Sequence, residues 1–301
     1  MEVINVEKQK RIGWIGTGVM GHAMCTHILK AGHKVSVYNR TKEKAKELIE
    51  MGAQWCSNPK EIAEKSDIVF TIVGFPKDVK EVYFGEKGLL KGAKKGLIIV
   101  DMTTSEPTLA QQIYTEAKKI GVASIDAPVS GGDIGAKKGT LAIMIGGDKA
   151  VYEQLLPLFK LMGENIAYLG KAGAGQHAKM SNQILIASTM IGVVESLLYA
   201  YKAGNDLSDV INIIGKGAAG CWSINNLGPR IVKKDFDPGF FIKHFVKDMG
   251  IALQEAKQMN LSLPGLSLAY QFYISAMALG FENLGTHGLY KVLAKMNGIE
   301  V

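Results

Sequence analysis

Apolar and polar positions follow two different regimes along the chain. In the first half, short β-branched runs alternate with segments of helical periodicity. RIGWIG (11–16), KVSVYN (34–39), DIVFTIV (67–73), LIIVD (97–101) and ASIDAP (123–128) read as buried strands. VMGHAMCTHILKAG (19–32), KEKAKELIEMG (42–52), PKDVKEVYF (76–84) and TLAQQIYTEAKKIG (108–121) read as the helices between them. Such alternation predicts βαβ units and a parallel sheet covered on both faces. LAIMIGG (141–147) and NIAYLG (165–170) add two strands and carry this domain to about residue 170. Residues 176–204 then form one unbroken helical pattern, apolar on most sides, which at ~1.5 Å per residue would run some 40 Å. Nothing strand-like follows. The pattern therefore predicts an α/β chain: a doubly wound sheet domain over 1–170, a long connecting helix, and an all-α domain over 171–301, joined at Gly170–Gly175. There is no internal repeat and no low-complexity tract.

Composition narrows the class. At 301 residues, 47% hydrophobic and 21% charged, the chain has enough apolar content for two cores and is globular rather than disordered. Its 35 basic and 28 acidic residues give +7, but the basic residues are spread along the chain, which speaks against nucleic acid and for small anions as partners. The three cysteines, Cys25, Cys56 and Cys221, are too few and too far apart for a disulfide framework or a zinc site, and fit a reducing cytoplasm. The six histidines lack metal-ligand spacing, so no metal is expected. MEVINVEKQKR has no apolar stretch behind its charges and reads as neither signal peptide nor anchor. The most apolar window, Ile184 to Val194, is shorter than the roughly 18–20 residues that span a bilayer, so no membrane segment is expected.

Between the first strand and helix stands GTGVMG, with Gly16, Gly18 and Gly21 in G-x-G-x-x-G spacing. Gly16 suits a tight turn, Gly18 lets backbone approach a pyrophosphate, and Gly21 lets helix and strand pack closely. With Thr17, Val19 and Met20, they would set a dinucleotide's phosphates on the helix N-terminus. The plainer alternative is a tight turn alone. The second strand ends in Asn39-Arg40-Thr41, where an NAD site would place an acidic residue for the ribose hydroxyls. Asn39 and cationic Arg40 suit a 2′-phosphate instead, favouring NADP over NAD. Otherwise Arg40 is a solvated helix-start residue and Thr41 a helix cap.

A nucleotide fold names no reaction, which has to be sought in other segments. DAPVSGGDIGAKKGT (126–140) offers Ser130, Gly131 and Gly132 in succession, a carboxylate cradle of backbone amides or else a flexible turn. In GAGQHAKMSNQ (173–183), Lys179 is the only lysine or arginine between Lys171 and the end of the apolar run, with Asn182 and Gln183 at +3 and +4 on its face. A lysine on a buried helix is a candidate acid/base, since burial disfavours its charged form. A snorkelling lysine is the alternative.

Taken together, GTGVMG, DMTTSEP (101–107), DAPVSGGDIGAKKGT, GAGQHAK (173–179) and PGFFIKHFVKDMGIAL (238–253) resemble the β-hydroxyacid dehydrogenase family, over residues 11–295. The resemblance implies a Rossmann-type domain, a long helix and a helical second domain through which members form homodimers or homotetramers. It implies Lys179 as catalytic acid/base, Ser130–Gly132 as holder of the substrate carboxylate, and Asn182 as a substrate-orienting residue. Val73, Gly74 and Thr104 would line the cofactor, Lys247 would lie beside the nicotinamide, and Trp222 would close the substrate pocket. The family often carries Asn four residues after the lysine; here Gln183 stands there, among the substrate-binding candidates. His22, His27 and His33 read as surface or packing residues, with His177 at the border of the site. The implied reaction is hydride transfer between NAD(P) and a small β- or ω-hydroxy acid or its semialdehyde, such as 3-hydroxyisobutyrate, tartronate semialdehyde, glyoxylate or succinic semialdehyde. An NADPH-dependent imine reductase shares the architecture but carries another proton donor in place of the lysine. A 6-phosphogluconate dehydrogenase would be longer, and a non-catalytic nucleotide-binding interaction protein would be expected to lose the lysine.

Overall fold

A computed structural model of the chain describes residues 10–300. Most of the MEVINVEKQKR segment lies outside them. Nine strands form one sheet: β1 Ile12–Ile15, β2 Val35–Tyr38, β3 Gln54–Trp55, β4 Ile68–Thr71, β5 Ile98–Asp101, β6 Ala123–Asp126, β7 Val129–Ser130, β8 Leu141–Gly147 and β9 Gly163–Gly170. Their order is β3-β2-β1-β4-β5-β6-β8-β7, with β9 also paired to β8. The first six strands are parallel; β8 runs antiparallel to β6 and β7, and parallel to β9.

Both faces of this sheet are covered, so its central strands β1, β4 and β5 are buried at every position and apolar up to the Thr71 and Asp101 that end β4 and β5. Ile12, Trp14, Ile68, Phe70, Ile98 and Val100 turn to one core, shared with Met24 and Ile28 of the helix Val19–Lys30 and Phe159 of the helix Lys149–Phe159. Ile15, Val69 and Ile99 turn to the other, with Ile62 of the helix Pro59–Lys65, Val79 and Tyr83 of Pro76–Phe84, and Ile113 of Pro107–Lys119. The alternation follows from the two-residue repeat of a strand.

The chain divides into two compact units, 1–179 and 180–301. The division falls after Lys179, beyond the glycine-rich join at 170–175. The reason is local: the start of the helix Ala174–Lys202 is bonded to the strand ends of the first unit, through Asp126 and Gln176. In the second unit the rest of that helix supplies Ala187, Met190, Val194 and Leu197 to the core, a three-and-four spacing that makes one buried stripe. Around it pack residues of the helices Leu207–Ile214, Trp222–Asn226, Gly228–Val232, Ile242–Gln258, Pro264–Ala278 and Leu289–Met296. The β-structure among the described residues here is one isolated bridge, Phe241 to Gly285.

The long helix has 29 residues, and an 18-residue window of it reaches a mean hydropathy of 1.7, so by length and composition it could cross a membrane. The apolar window Ile184 to Val194 understated it, because Ala174–Met180 and Ser196–Lys202 continue the same helix. Its buried face also carries Gln176, Lys179 and Gln183, and its apolar stripe is the spine of a protein core.

Candidate functional site

At the carboxyl edge of the sheet, Ile15, Tyr38, Thr71, Asp101 and Asp126 stand side by side as register partners across β2-β1-β4-β5-β6. Five connections leave from that level, carrying Gly16–Gly21, Asn39–Thr41, Val73–Gly74, Thr104 and Ser130–Gly132. The edge where parallel strands end is where ligands of open α/β sheets bind.

The three glycines of the first turn do different work. Gly16 has φ +94°, and a Cβ there would strike the Ile72 carbonyl. A Cβ on Gly21 would strike the Gly16 carbonyl, so strand and helix meet backbone to backbone. On Gly18 a Cβ would meet nothing within 4 Å. The helix it opens, Val19–Lys30, has neither a capping side chain nor an acidic residue in its first turn. Its N-terminal amides and positive dipole end thus have no internal anion, and the surroundings fit a diphosphate.

The half-buried Asn39 amide bonds within the protein at both ends. Its Oδ1 accepts from Thr17 N (3.0 Å) and its Nδ2 donates to the Thr41 carbonyl (2.8 Å), bracing the glycine turn against the end of β2. Arg40 extends outward, 86% exposed, and pairs with Asp78 at 3.3 Å. Thr41 precedes a short 3-10 helix, Lys42–Ala45, without capping it by its side chain. On the next two strands, Thr103 Oγ1 accepts from Val73 N (3.0 Å) and Asp101 Oδ1 accepts from Thr103 N (3.0 Å), which fixes the loops of Val73–Gly74 and Thr104 to each other.

The SGG stretch is more ordered than a loop. Ser130 closes β7, while Gly131 (φ +130°) and Gly132 (φ +63°) lead into the helix Gly132–Lys138. Successive glycines in this conformation leave backbone amides unscreened by side chains. Asp133 follows in the first turn, paired with Lys137 at 3.4 Å.

Lys179 lies in the second turn of the long helix and is 6% exposed. The base of that helix is tied down by Asp126, whose Oδ1 accepts from Gly173 N (2.7 Å) and Oδ2 from Gln176 N (2.9 Å). Burial pushes the Asp126 carboxyl above the ordinary carboxylate range, with backbone N–H groups of Gly173, Gln176 and Gly175 pulling the other way. GAG is glycine-rich here for contact: a Cβ on Gly175 would strike the Met144 carbonyl and crowd Asp126.

In the second unit a chain of polar groups runs from Asn182 to Lys247. Asn182 Nδ2 donates to Gln183 Oε1 (2.7 Å), Gln183 Nε2 donates to Asp248 Oδ2 (2.6 Å), and Asp248 Oδ1 pairs with Lys247 Nζ (2.7 Å). Asp248 and Gln183 are buried. Both ends of the Gln183 amide are thereby used within the protein. Trp222 takes no part in this chain; it stands 65% exposed at the start of the helix Trp222–Asn226. Among the earlier histidines, His27 bonds the Ala136 carbonyl at 2.9 Å and His22 approaches Glu47 at 3.1 Å.

Asp126, Gln176 and Asp248 were not singled out by the sequence, although each stands inside a quoted motif. The available signal was a polar residue at a position where the apolar pattern calls for burial. Among the described residues no group of three or more His, Cys, Asp or Glu could hold a metal ion.

Comparison with known proteins gives the same picture. Residues 11–170 match the NAD binding domain of 6-phosphogluconate dehydrogenase, and residues 173–293 match the NAD-binding family model of NADP-dependent 3-hydroxyisobutyrate dehydrogenase. A probable mitochondrial 3-hydroxyisobutyrate dehydrogenase-like protein 1 of Arabidopsis thaliana is 53% identical over 97% of this chain and 87% of its own length. The 2-hydroxy-3-oxopropionate reductase of Escherichia coli K12 is 39% identical over 95% of this chain and 98% of its own. The 3-hydroxyisobutyrate dehydrogenase of Mycobacterium tuberculosis, solved with L-serine, superposes with a TM-score of 0.87 at 27% identity, covering 95% of this chain and 99% of that one. Imine reductases share the fold alone, that of a Pseudomonas sp. at 18% identity and a TM-score of 0.61.

Proposed function

Because the chain belongs to the β-hydroxyacid dehydrogenase family and is an NAD(P)-dependent oxidoreductase acting on a hydroxyl group, we propose that Lys179 is its acid/base and that NADP(H) is its preferred cofactor. The substrate is a small β- or ω-hydroxy acid, or its semialdehyde, of the kind represented by 3-hydroxyisobutyrate, tartronate semialdehyde, glyoxylate and succinic semialdehyde. The observation that carries the reading is a buried lysine one turn beyond a helix base that Asp126 and Gln176 bond to the strand ends of the nucleotide-binding unit.

The residues that would hold the dinucleotide are the first-turn amides from Gly16 and Thr17 through Gly18, Val19, Met20 and Gly21. Arg40 and Thr41 would take the 2′-phosphate; Val73, Gly74, Thr104 and Lys247 would line the remainder. When bound, that group supplies hydride to the carbonyl carbon or accepts it from the alcohol. Lys179 Nζ gives a proton to the carbonyl oxygen in reduction and takes one from the hydroxyl in oxidation, so one residue serves both directions. The Ser130 hydroxyl and the amides of Gly131 and Gly132 hold the carboxylate, and Asn182 orients the reacting oxygen. Asn39 braces the glycine turn and Gln183 the Asp248 carboxylate, and each amide keeps an N–H and a lone pair, Asn39 for the cofactor and Gln183 for the substrate.

A homodimer or homotetramer completes the proposal, supported by Leu185, Tyr199 and Leu268 left exposed on helices of the second unit; light scattering of the purified protein checks it. The test of mechanism is Lys179→Ala. Turnover on a panel of tartronate semialdehyde, glyoxylate and succinic semialdehyde with NADPH and NADH, and of 3-hydroxyisobutyrate with NADP+ and NAD+, should fall at least about a hundredfold, while NADPH still binds. Retained turnover removes Lys179 from the chemistry, and a wild-type chain that binds NADPH without consuming it is a non-catalytic binder.

A further inference from the structure

Gln176 is fully buried, and its side chain reaches a different loop from the one its backbone touches. Nε2 donates to the Thr103 carbonyl (2.7 Å) and Oε1 accepts from Ser105 N (3.0 Å), so the amide grips the chain on both sides of Thr104. The partners fix the orientation of the amide, because a carbonyl can only accept and a backbone N–H can only donate. Thr103 is held at two further points: its N donates to Asp101 Oδ1 and its hydroxyl accepts from Val73 N. The Gln176 backbone N donates to Asp126. One residue therefore joins the ends of β5 and β6 to the first turn of the long helix. Lys179 follows at i+3, on the same helix face.

We propose that Gln176 is a positioning residue that holds the nucleotide loop at Thr104 and the amine of Lys179 on one frame, so that cofactor affinity and hydride-transfer rate depend on the same amide. This rests on the reading of Lys179 as acid/base. Asp126 fixes the helix start through backbone groups alone; Gln176 adds the link to Thr103–Ser105. Neither an apolar side chain nor a carboxylate can replace it, because one supplies neither bond and the other only the acceptor. A protonated carboxyl restores both.

The experiment compares Gln176→Leu and Gln176→Glu with wild type by NADPH fluorescence titration, single-turnover hydride transfer at saturating NADPH and aldehyde, aldehyde KM, and thermal midpoint. Gln176→Leu should weaken NADPH about tenfold and slow hydride transfer about ten- to a hundredfold, the scale on which small misplacements act, with aldehyde KM changed less than about twofold. Gln176→Glu should regain rate relative to wild type as pH falls from 8 to 6. The new carboxyl would sit beside the Asp126 carboxylate on its own backbone N–H and near Asp101 through Thr103, with His177 adjacent and Lys179 one turn on. Burial and the two neighbouring carboxyl groups raise its pKa, so its protonated fraction grows as pH falls. Gln176→Leu that lowers only the thermal midpoint, leaving affinity and rate as in wild type, overturns the proposal. So does a pH-independent ratio of Gln176→Glu to wild type, which decides the matter if Gln176→Leu does not fold. A wild-type chain that binds NADPH but turns over none of the panel defeats the functional reading instead, and the affinity comparison then still reads the clamp.

Discussion

In the first unit the groups that could meet a ligand are held largely by backbone: two glycines that admit no Cβ and a third left open between them, an uncapped helix N-terminus, and amides at strand ends lying level with one another. In the second unit they are held by side chains in series, from Asn182 through Gln183 and Asp248 to Lys247. A backbone site tolerates many side chains but few departures from glycine. A side-chain relay fails when one member is lost, since the neighbour is left buried without a partner.

The largest expected effect breaks that relay. Asp248→Ala removes the buried carboxylate that pairs with the Lys247 ammonium and accepts from the Gln183 amide, and removing one partner of such a pair costs about 3–5 kcal/mol. Urea unfolding should show the loss, and Lys247→Met added to Asp248→Ala should recover part of it. No recovery would mean that the buried cation is not the source of the cost. Next is the exposed side chain of the first unit assigned to the cofactor. Arg40→Ala should cost NADPH about 1.5–3 kcal/mol, the range for a bond to a charged group, and leave NADH binding unchanged. Thermal stability should hardly move, because the Arg40–Asp78 pair is a surface pair. Equal losses for the two cofactors would remove the preference for NADP.

A smaller and cleaner test separates two glycines of one turn. Gly16→Ala forces an alanine to φ +94° and against the Ile72 carbonyl, which costs about 1–3 kcal/mol from the backbone alone. Gly18→Ala meets nothing in the protein, so its stability change should stay within about 0.5 kcal/mol, while NADPH binding weakens about tenfold, or ~1.4 kcal/mol. Thermal midpoints and nucleotide titrations of the two variants check both. If Gly18→Ala binds NADPH as wild type does, the phosphates lie elsewhere.

The same contrast explains what the sequence could tell. Gly16 and Gly21 are legible because a backbone demand admits one residue type, and Gly18 because it completes the fixed spacing between them. The strand and helix alternation is legible because both faces of the sheet are covered, which makes β1, β4 and β5 short apolar runs that only their last residues, Thr71 in β4 and Asp101 in β5, interrupt. β3 and β7 were missed because two residues carry no periodicity, and the helix Gly132–Lys138 because its glycines read as a turn. The helix Lys149–Phe159 was missed with Pro157 inside it, and KEKAKELIEMG is split into a 3-10 turn, Lys42–Ala45, and the short helix Lys46–Glu50. Gln176 and Asp126 stay hidden for another reason: their partners lie 47 to 73 residues away in sequence, so the local apolar pattern can mark burial but not the group that each residue bonds. Lys247 is legible through the family resemblance alone, and nothing in the sequence marks the buried Asp248 beside it as its partner. Asn39 and Gln183 suit a ligand by type, and their types do not show that a neighbouring backbone in one case and a buried carboxylate in the other each take one of the amide's bonds.

The smallest effect concerns a feature that the two units share. Each carries a forked arginine–aspartate pair: Arg11 with Asp67 in the first, Arg230 with Asp235 in the second. The guanidinium beside each carboxyl, helped by a backbone N–H, holds both at about 2. A carboxyl held below its unfolded value stabilises the fold above that value and loses its contribution as pH falls through the folded one. The window is thus from about 4 down to about 2. Both carboxylates are more than a third exposed, so the contribution of each is small and screened by salt. Unfolding midpoints between pH 5 and 2 should fall less steeply in Asp67→Asn and in Asp235→Asn than in wild type, by similar amounts. A clearly larger change for Asp235→Asn would point to its other bonds, since Asp235 also accepts from Asp237 N and its carbonyl meets the buried ring of His287 at 2.8 Å. In that case the second unit would depend on side-chain series at its surface as it does in its interior.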